Sequence, residues 1–388
     1  MSSLYDRLSP AVRDLPPSGI RRFFELASQM EDVISLGVGE PDFVTPWHVR
    51  EACYHSLERG YTSYTANHGL PELRAAIATY LRSFQLEYDP AREVLVTVGA
   101  SEAIDIALRT LVAPGDEVLI PEPAYVSYRP GVVLAGGVAV GIPTHAQDDF
   151  RLTPEALRAH LTPRSKAIIL CYPNNPTGSV MPEQDLAAIA DVIRDHDLFV
   201  ISDEIYAELT YSGRHASIAA LPGMKERTVL VSGMSKAFAM TGWRIGYATA
   251  PPEILDAMVK IHQYTMLCAP VMGQMAAIEA LRNGQMEKER MIEQYDRRRR
   301  LIVQGLRDVG LSCHEPQGAF YAFPDIRSTG LSSESFAEGL LQHGKVAVVP
   351  GNVFGEGGEG FVRCSYATSV EQIERALDRI GNYVLSLR

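Results

Sequence analysis

The run from Ser232 to Gly246 reads SGMSKAFAMTGWRIG. One lysine, Lys236, stands among small residues, and one arginine, Arg244, follows between Gly242 and Gly246. Small neighbours let a bulky group approach the lysine nitrogen. An arginine just beyond suits a phosphate or carboxylate, because its planar fork donates two parallel hydrogen bonds. A lysine in a partly desolvated pocket is less inclined to carry charge, so more of it is free amine. A free amine beside an anion-binding arginine is what an enzyme needs to hold a phosphorylated aldehyde as a Schiff base, and pyridoxal phosphate is the commonest such aldehyde. On an arbitrary loop the same two residues would be solvated charges. The rest of the chain therefore has to supply a phosphate cradle, a partner for a pyridine nitrogen and a clamp for a carboxylate.

The whole run resembles the lysine signature of class I and II aminotransferases, with Ser235, Lys236, Gly242, Arg244 and Gly246 at matching places. The resemblance implies that Lys236 carries the cofactor and that Ser235 and Arg244 help bind it.

Composition sets the outer limits. A chain of 388 residues is long enough for a large core and two domains. With 46% hydrophobic residues it has an ordinary globular balance rather than that of a disordered chain. The formal net charge of −11 argues against general nucleic-acid binding and against docking on anionic lipid. Arg297 to Arg300 is the one basic cluster, and it reads as a solvated or ion-paired helix face. Five scattered cysteines without a Cys-x-x-Cys pair give neither a disulfide nor a zinc framework, so no metal is expected and a reducing cytosol fits best. The N-terminus carries no long apolar run, hence no signal peptide or membrane span is expected.

Taken from the start, Pro16-Pro17-Ser18-Gly19 leads into Ile20 to Gln29, with Ser18 as a candidate helix cap. In ISLGVGEPDF (Ile34 to Phe43), Gly39 is able to bring its backbone close to a ligand. Similarity to the family's entrance loop makes Gly39 a candidate substrate contact. In YTSYTANHGLPELR, Tyr64 reads by itself as a packing tyrosine. Its distance from Gly69, Leu73 and Arg74 matches the family tyrosine that reaches into the neighbouring subunit and touches the cofactor phosphate.

From about residue 92 the pattern alternates strand, loop and helix. Val94 to Val98 feeds Gly99-Ala100-Ser101 into a helix predicted over Glu102 to Leu111. A strand delivering small residues to a helix N-terminus is a phosphate cradle, since free N–H groups and the helix dipole point the same way. Any βα turn can be rich in small residues, however, and Glu102 adds a negative charge at the same helix start. Tyr125, on a Pro-bracketed loop after the next strand, offers a face for stacking on a planar ring, or is a surface tyrosine. AIILCYPNNPTG ends a buried strand at Asn174 and Asn175, and the family pattern assigns a ring-oxygen contact to Asn175.

In LFVISDEIYAEL, Asp203 closes a continuous apolar run, at the carboxyl end of a strand where ligands sit in open α/β sheets. A carboxylate there needs a cationic partner, either a protonated pyridine nitrogen or a salt bridge or helix cap. Tyr206, three residues on, is within reach of a ring oxygen. Further along, RIGYATAP is a predicted strand, and a charged helix from about Met286 to Val309 leads to a second region. GAFYAFPDI, KVAVVPGNVFG and FVRCSYATS read there as strands. Arg363 lies inside the last apolar run, where a charge is costly unless paired. A substrate carboxylate would pair it, and the family places its carboxylate-binding arginine here.

The alternation of strands and helices predicts an α/β fold with a mostly parallel sheet between helices. The resemblance extends from about Ser18 to the C-terminus and supplies the rest. It implies the fold-type I layout of pyridoxal-phosphate transferases, a large cofactor domain plus a smaller α+β domain. Residues 1–48 form an N-terminal arm and part of the small domain, 49–285 the large domain and 286–388 the remainder. It implies pyridoxal 5'-phosphate as cofactor and a homodimer with shared active sites. It also implies exchange of an amino group between an amino acid and a 2-oxo acid such as 2-oxoglutarate. C–S lyases share the constellation, and some regulators carry a related sensor domain, although this chain reaches the catalytic pattern too early for a DNA-binding domain. Tyr64, Tyr125 and Phe320 are candidates for an apolar side-chain pocket, which favours aromatic or other neutral amino acids.

Overall fold

A computed structural model of the protein describes residues 4–16, 19, 28 and 30–387. The candidate cap Ser18 and, Ser28 apart, the segment from Ile20 to Gln29 lie outside the described residues. After a short β1 (Ile34–Ser35) come the strands of the main sheet: β2 (Val94–Thr97), β3 (Glu117–Glu122), β4 (Val138–Pro143), β5 (Ser165–Cys171), β6 (Phe199–Asp203), β7 (Thr228–Gly233) and β8 (Gly246–Thr249). They form one seven-stranded sheet in the order β2-β8-β7-β6-β5-β3-β4.

The strands from β4 to β7 run parallel. Only β8 runs against them, antiparallel to both β7 and β2. Every residue of β2, β3, β7 and β8 is buried, as expected of strands covered by helices on both faces. That burial is why their sequences are continuous apolar runs rather than alternating ones. Because β8 is reversed, its first residue, Gly246, stands between Thr97 at the end of β2 and Gly233 at the end of β7. Cys171 and Asp203 are paired at the same end of the sheet. The chain thus gathers five strand ends at one edge of the sheet.

The C-terminal part carries β9 (Ser312–Cys313), β10 (Tyr321–Ala322), β11 (Pro324–Asp325), β12 (Val346–Ala347), β13 (Val349–Pro350) and β14 (Val362–Ser365). β14 lies between β10 and β13, and β1 pairs in parallel with β12. One core joins Ile34 and Leu36 to Tyr206, Tyr295, Phe320, Tyr321, Val362 and Ile373. The helices Gln285–Asp308 and Val370–Ser386 pack on that core.

Several boundaries differ from the sequence expectation, each for a local reason. The helix predicted from Glu102 begins at Ala100, so the small residues sit in its first turn. The strand predicted from Arg244 begins at Gly246, because Arg244 is left-handed with φ +56°. The run GAFYAFPDI gives two two-residue strands instead of one, with Ala319 at φ +55° ahead of them. The arginines from Arg297 to Arg300 are ion-paired as expected, with Glu293, Asp42, Asp296 and Glu315.

Candidate active site

A cleft of about 600 Å³ opens at the end of the main sheet where these strands finish. It is lined by Gly39, Glu40, Ala100, Ser101, Ile104, Tyr125 to Tyr128, Cys171, Asn175, Asp203, Ile205, Tyr206, Ser235, Lys236, Thr241, Gly242, Arg244, Tyr321 and Arg363. Residues up to 326 positions apart meet here.

The floor is built on β6 and β7. Asp203, the last residue of β6, is 4% exposed. Burial raises its carboxyl from 3.8 to about 6, against the pull of the Tyr128 hydroxyl and the Ile205 amide. Tyr128 Oη donates to Asp203 Oδ2 at 2.7 Å, and the Ile205 amide donates to Oδ1 at 3.2 Å. Lys236 follows β7. Burial lowers its amine from 10.5 to about 8, with Glu40 opposing and Arg363 and Arg244 adding to the fall. Its Nζ donates to the Gly39 carbonyl at 2.6 Å and lies 5.8 Å from the Tyr206 ring centre.

One wall is the turn from β2 into the helix Ala100–Leu111. Gly99 is the residue before that helix, with φ +80°, a conformation that favours glycine. The first amides of a helix have no intrahelical acceptor and point toward the dipole's positive end. Arg244 closes the same wall: a Cβ on Gly99 would run into its guanidinium. Gly246 is equally constrained, since a Cβ there would fall 2.5 Å from the Ala100 amide nitrogen. Arg244 Nη1 donates to the Thr241 carbonyl at 2.9 Å, and Thr241 in turn donates to Glu40.

The opposite wall belongs to β14. Arg363 is 3% exposed and donates from Nη1 to Asn175 Oδ1 at 2.8 Å and from Nη2 to the Gly37 carbonyl at 2.7 Å. Its guanidinium lies 4.4 Å from the Tyr321 ring centre and 5.0 Å from that of Phe354. Among the described residues it has no carboxylate partner, and its Nε has no hydrogen-bond partner at all. Tyr321 Oη and Tyr206 Oη lie 2.7 Å apart, and burial raises both phenols, so both stay protonated. Among the described residues, Lys236, Arg244 and Arg363 share the cleft with two carboxylates, Glu40 and Asp203, in a chain whose net charge is −11.

The cleft thus brings together Gly39, Ala100, Ser101, Tyr125, Asn175, Asp203, Tyr206, Ser235, Lys236, Arg244 and Arg363, with Gly99 just behind. Two of the tyrosine and phenylalanine candidates are elsewhere. Tyr64 is 83% exposed and outside this cleft within the protomer. Phe320 is fully buried in the core behind Lys236, and its neighbour Tyr321 faces the cleft instead. Phe320 directly precedes the two-residue β10, and successive side chains of an extended chain point to opposite faces, so one of the pair meets the cleft and the other the core. Tyr128 escaped the sequence reading as well, although it lies three residues beyond Tyr125, with ring centres 5.6 Å apart.

A strand-end carboxylate near a desolvated amine, on a mostly parallel sheet, is the arrangement that the resemblance implied for a fold-type I transferase. Residues 31–380 match the family model for aminotransferase class I and II. A putative aminotransferase of Bacillus subtilis is 59% identical over 97% of this chain and 98% of its own length. An aspartate aminotransferase of Pyrococcus abyssi is 50% identical, covering 94% of this chain and 95% of its own. The solved aromatic aminotransferase from Pyrococcus horikoshii superposes with a TM-score of 0.90 at 47% identity, covering 95% of this chain and 99% of that one. The chain belongs to the class I and II aminotransferase family, and the lyase and regulatory alternatives are not favoured. Among the described residues no helix is long and apolar enough to cross a membrane.

Proposed function

We propose that this enzyme uses pyridoxal 5'-phosphate at Lys236 to move an amino group between a neutral, preferably aromatic, L-amino acid and a 2-oxo acid such as 2-oxoglutarate. The observation that carries the reading is Arg363, a buried cation with no carboxylate partner among the described residues and an unpaired Nε, in the same cleft as a desolvated lysine amine. A buried guanidinium in that condition calls for an anionic ligand.

The residues fit the cofactor. Arg244, Ser101, Ser235 and the Gly99-Ala100 backbone would hold the phosphate, on a turn that no larger residue than glycine could make at position 99. Tyr125 would stack on the ring, and Asn175 and Tyr206 would hold the ring oxygen. When bound, the cofactor supplies an aldehyde that condenses with amines and a ring that accepts an electron pair from the substrate. Asp203 would stay anionic against the protonated ring nitrogen, helped by the hydroxyl of Tyr128. Arg363 would clamp the α-carboxylate and so set the direction of the Cα–H bond, with Gly39 beside it. Lys236 Nζ, which burial makes easier to deprotonate, would take the proton from Cα and return it to the adjoining carbon.

The apolar members of the cleft, Ile104, Tyr125, Val126 and Ile205, support a neutral side chain, and among the described residues two arginines, Arg244 and Arg363, line it. Tyr64 would join the phosphate contacts from a partner subunit in a homodimer. The division into residues 1–48, 49–285 and 286–388 and a cytoplasmic location belong to the same proposal. A panel of amino donors tests it. Phenylalanine or tyrosine with 2-oxoglutarate is expected to discharge the absorbance of lysine-bound cofactor, and far better use of aspartate would refute the substrate preference. Lys236→Ala is expected to remove both that absorbance and turnover while leaving the fold intact.

A further inference from the structure

Glu102 is the anomaly in the cradle. It is an acid in the first turn of a helix whose amides line an anion site, which places a negative charge where a phosphate would go. Ala100, Ser101 and Ile104 line the cleft, but Glu102 does not. Both of its oxygens are committed on the far side. Oε2 accepts from the Val98 amide at 2.5 Å, and Oε1 pairs with His262 Nδ1 at 2.6 Å. His262 comes from the helix Pro252–Thr265, is fully buried, and has no partner for Nε2 among the described residues. A carboxylate can only accept, so Nδ1 carries the proton.

We propose that Glu102, restrained by His262, is a positioning residue of the phosphate cradle. Glycine at position 99 has no side chain with which to cap the helix, and Glu102 reaches back past it to the Val98 amide. That bond fixes the turn on which Gly99 reaches φ +80°. The His262 bond holds the other oxygen away from the first amides of the helix, toward which the helix dipole would draw a free carboxylate. The Ala100 and Ser101 amides stay available to an external anion. This inference rests on the cofactor reading above.

The test compares two aldehydes on the cofactor-free protein, pyridoxal phosphate and pyridoxal, which lacks the phosphate. Dissociation constants are read from the absorbance of the lysine-bound form. His262→Leu is expected to weaken pyridoxal phosphate by about tenfold, the worth of one hydrogen bond to a charged group, and to leave pyridoxal almost unchanged. His262→Asn, whose amide nitrogen replaces Nδ1, is expected to bind both like the wild type. Glu102→Gln keeps an acceptor for Val98 without the charge, so adding it to His262→Leu is expected to restore pyridoxal phosphate affinity. Equal losses for the two aldehydes, unchanged pyridoxal phosphate affinity in His262→Leu, or no recovery in the double variant would each overturn the inference alone. Wild-type protein that takes up neither aldehyde overturns the cofactor reading, and this inference with it.

Discussion

The lysine amine offers the sharpest quantitative check, because its reactivity depends on how much of it is uncharged. Burial lowers Lys236 from 10.5 to about 8. At pH 7 about a tenth of it is free amine, against about one part in three thousand for an ordinary lysine, a gain of about 300-fold. The second-order rate of cofactor capture by the cofactor-free protein is therefore expected to rise about tenfold per pH unit below 8 and to level off above it. Stopped-flow absorbance from pH 6 to 10 measures this directly. Glu40 is the largest influence holding the amine up. Glu40→Gln is accordingly expected to move the midpoint below that of the wild type, so that capture at pH 7 becomes faster. A midpoint near 10.5, or a Glu40→Gln midpoint above the wild type's, would refute the assignment of burial and Glu40 as causes. The same group affects stability with a definite sign. Between about 8 and 10.5 the unfolded chain binds the proton that the folded chain has released. This contribution therefore makes the fold more stable as pH rises through that window and leaves its full cost in place below it.

Three further substitutions probe other parts of the cleft. Arg363→Lys keeps a charge but loses the planar fork, and kcat/KM is expected to fall by about 10- to 150-fold, equivalent to about 1.5–3 kcal/mol, with cofactor content unchanged; unchanged kinetics would remove the carboxylate clamp from this residue. Tyr128→Phe deletes the hydroxyl that holds the Asp203 carboxyl down. That carboxyl is expected to titrate above its present value of about 6, so activity should fall away on the acid side at a higher pH than in the wild type; an unshifted acid limb in the pH profile would count against the pairing. Gly246→Ala forces a methyl against the Ala100 backbone. A loss of about 1–3 kcal/mol in urea unfolding is expected, together with weaker cofactor retention measured by dialysis.

What was legible in the sequence was whatever is local in the chain. The parallel strands announced themselves as unbroken apolar runs, and Lys236, Asp203 and Arg363 each broke a run of small or apolar residues in a way that asked for a partner. The partners were another matter. Tyr128 meets Asp203 from 75 positions away and His262 meets Glu102 from 160, and no periodicity within either segment encodes those distances. The exchange of Phe320 for Tyr321 as a cleft residue has the same origin. Strand β10 is two residues long, too short for alternation to mark a face, and its register is set by β14 across the sheet. The start of β8 moved by two residues because Arg244 is left-handed, a conformation that its residue type does not signal.

The reversed strand next to the edge of the sheet has a thermal consequence. Because a side chain on Gly246 would meet the Gly99–Ala100 backbone, the proposed phosphate pocket is tied to the pairing of β8 with the edge strand β2 rather than to a free loop. It has no independent way to loosen: warming cannot widen it without parting β8 from β2. Loss of the coenzyme on heating should therefore coincide with melting of the sheet itself, and saturating coenzyme should raise the melting temperature of the whole molecule.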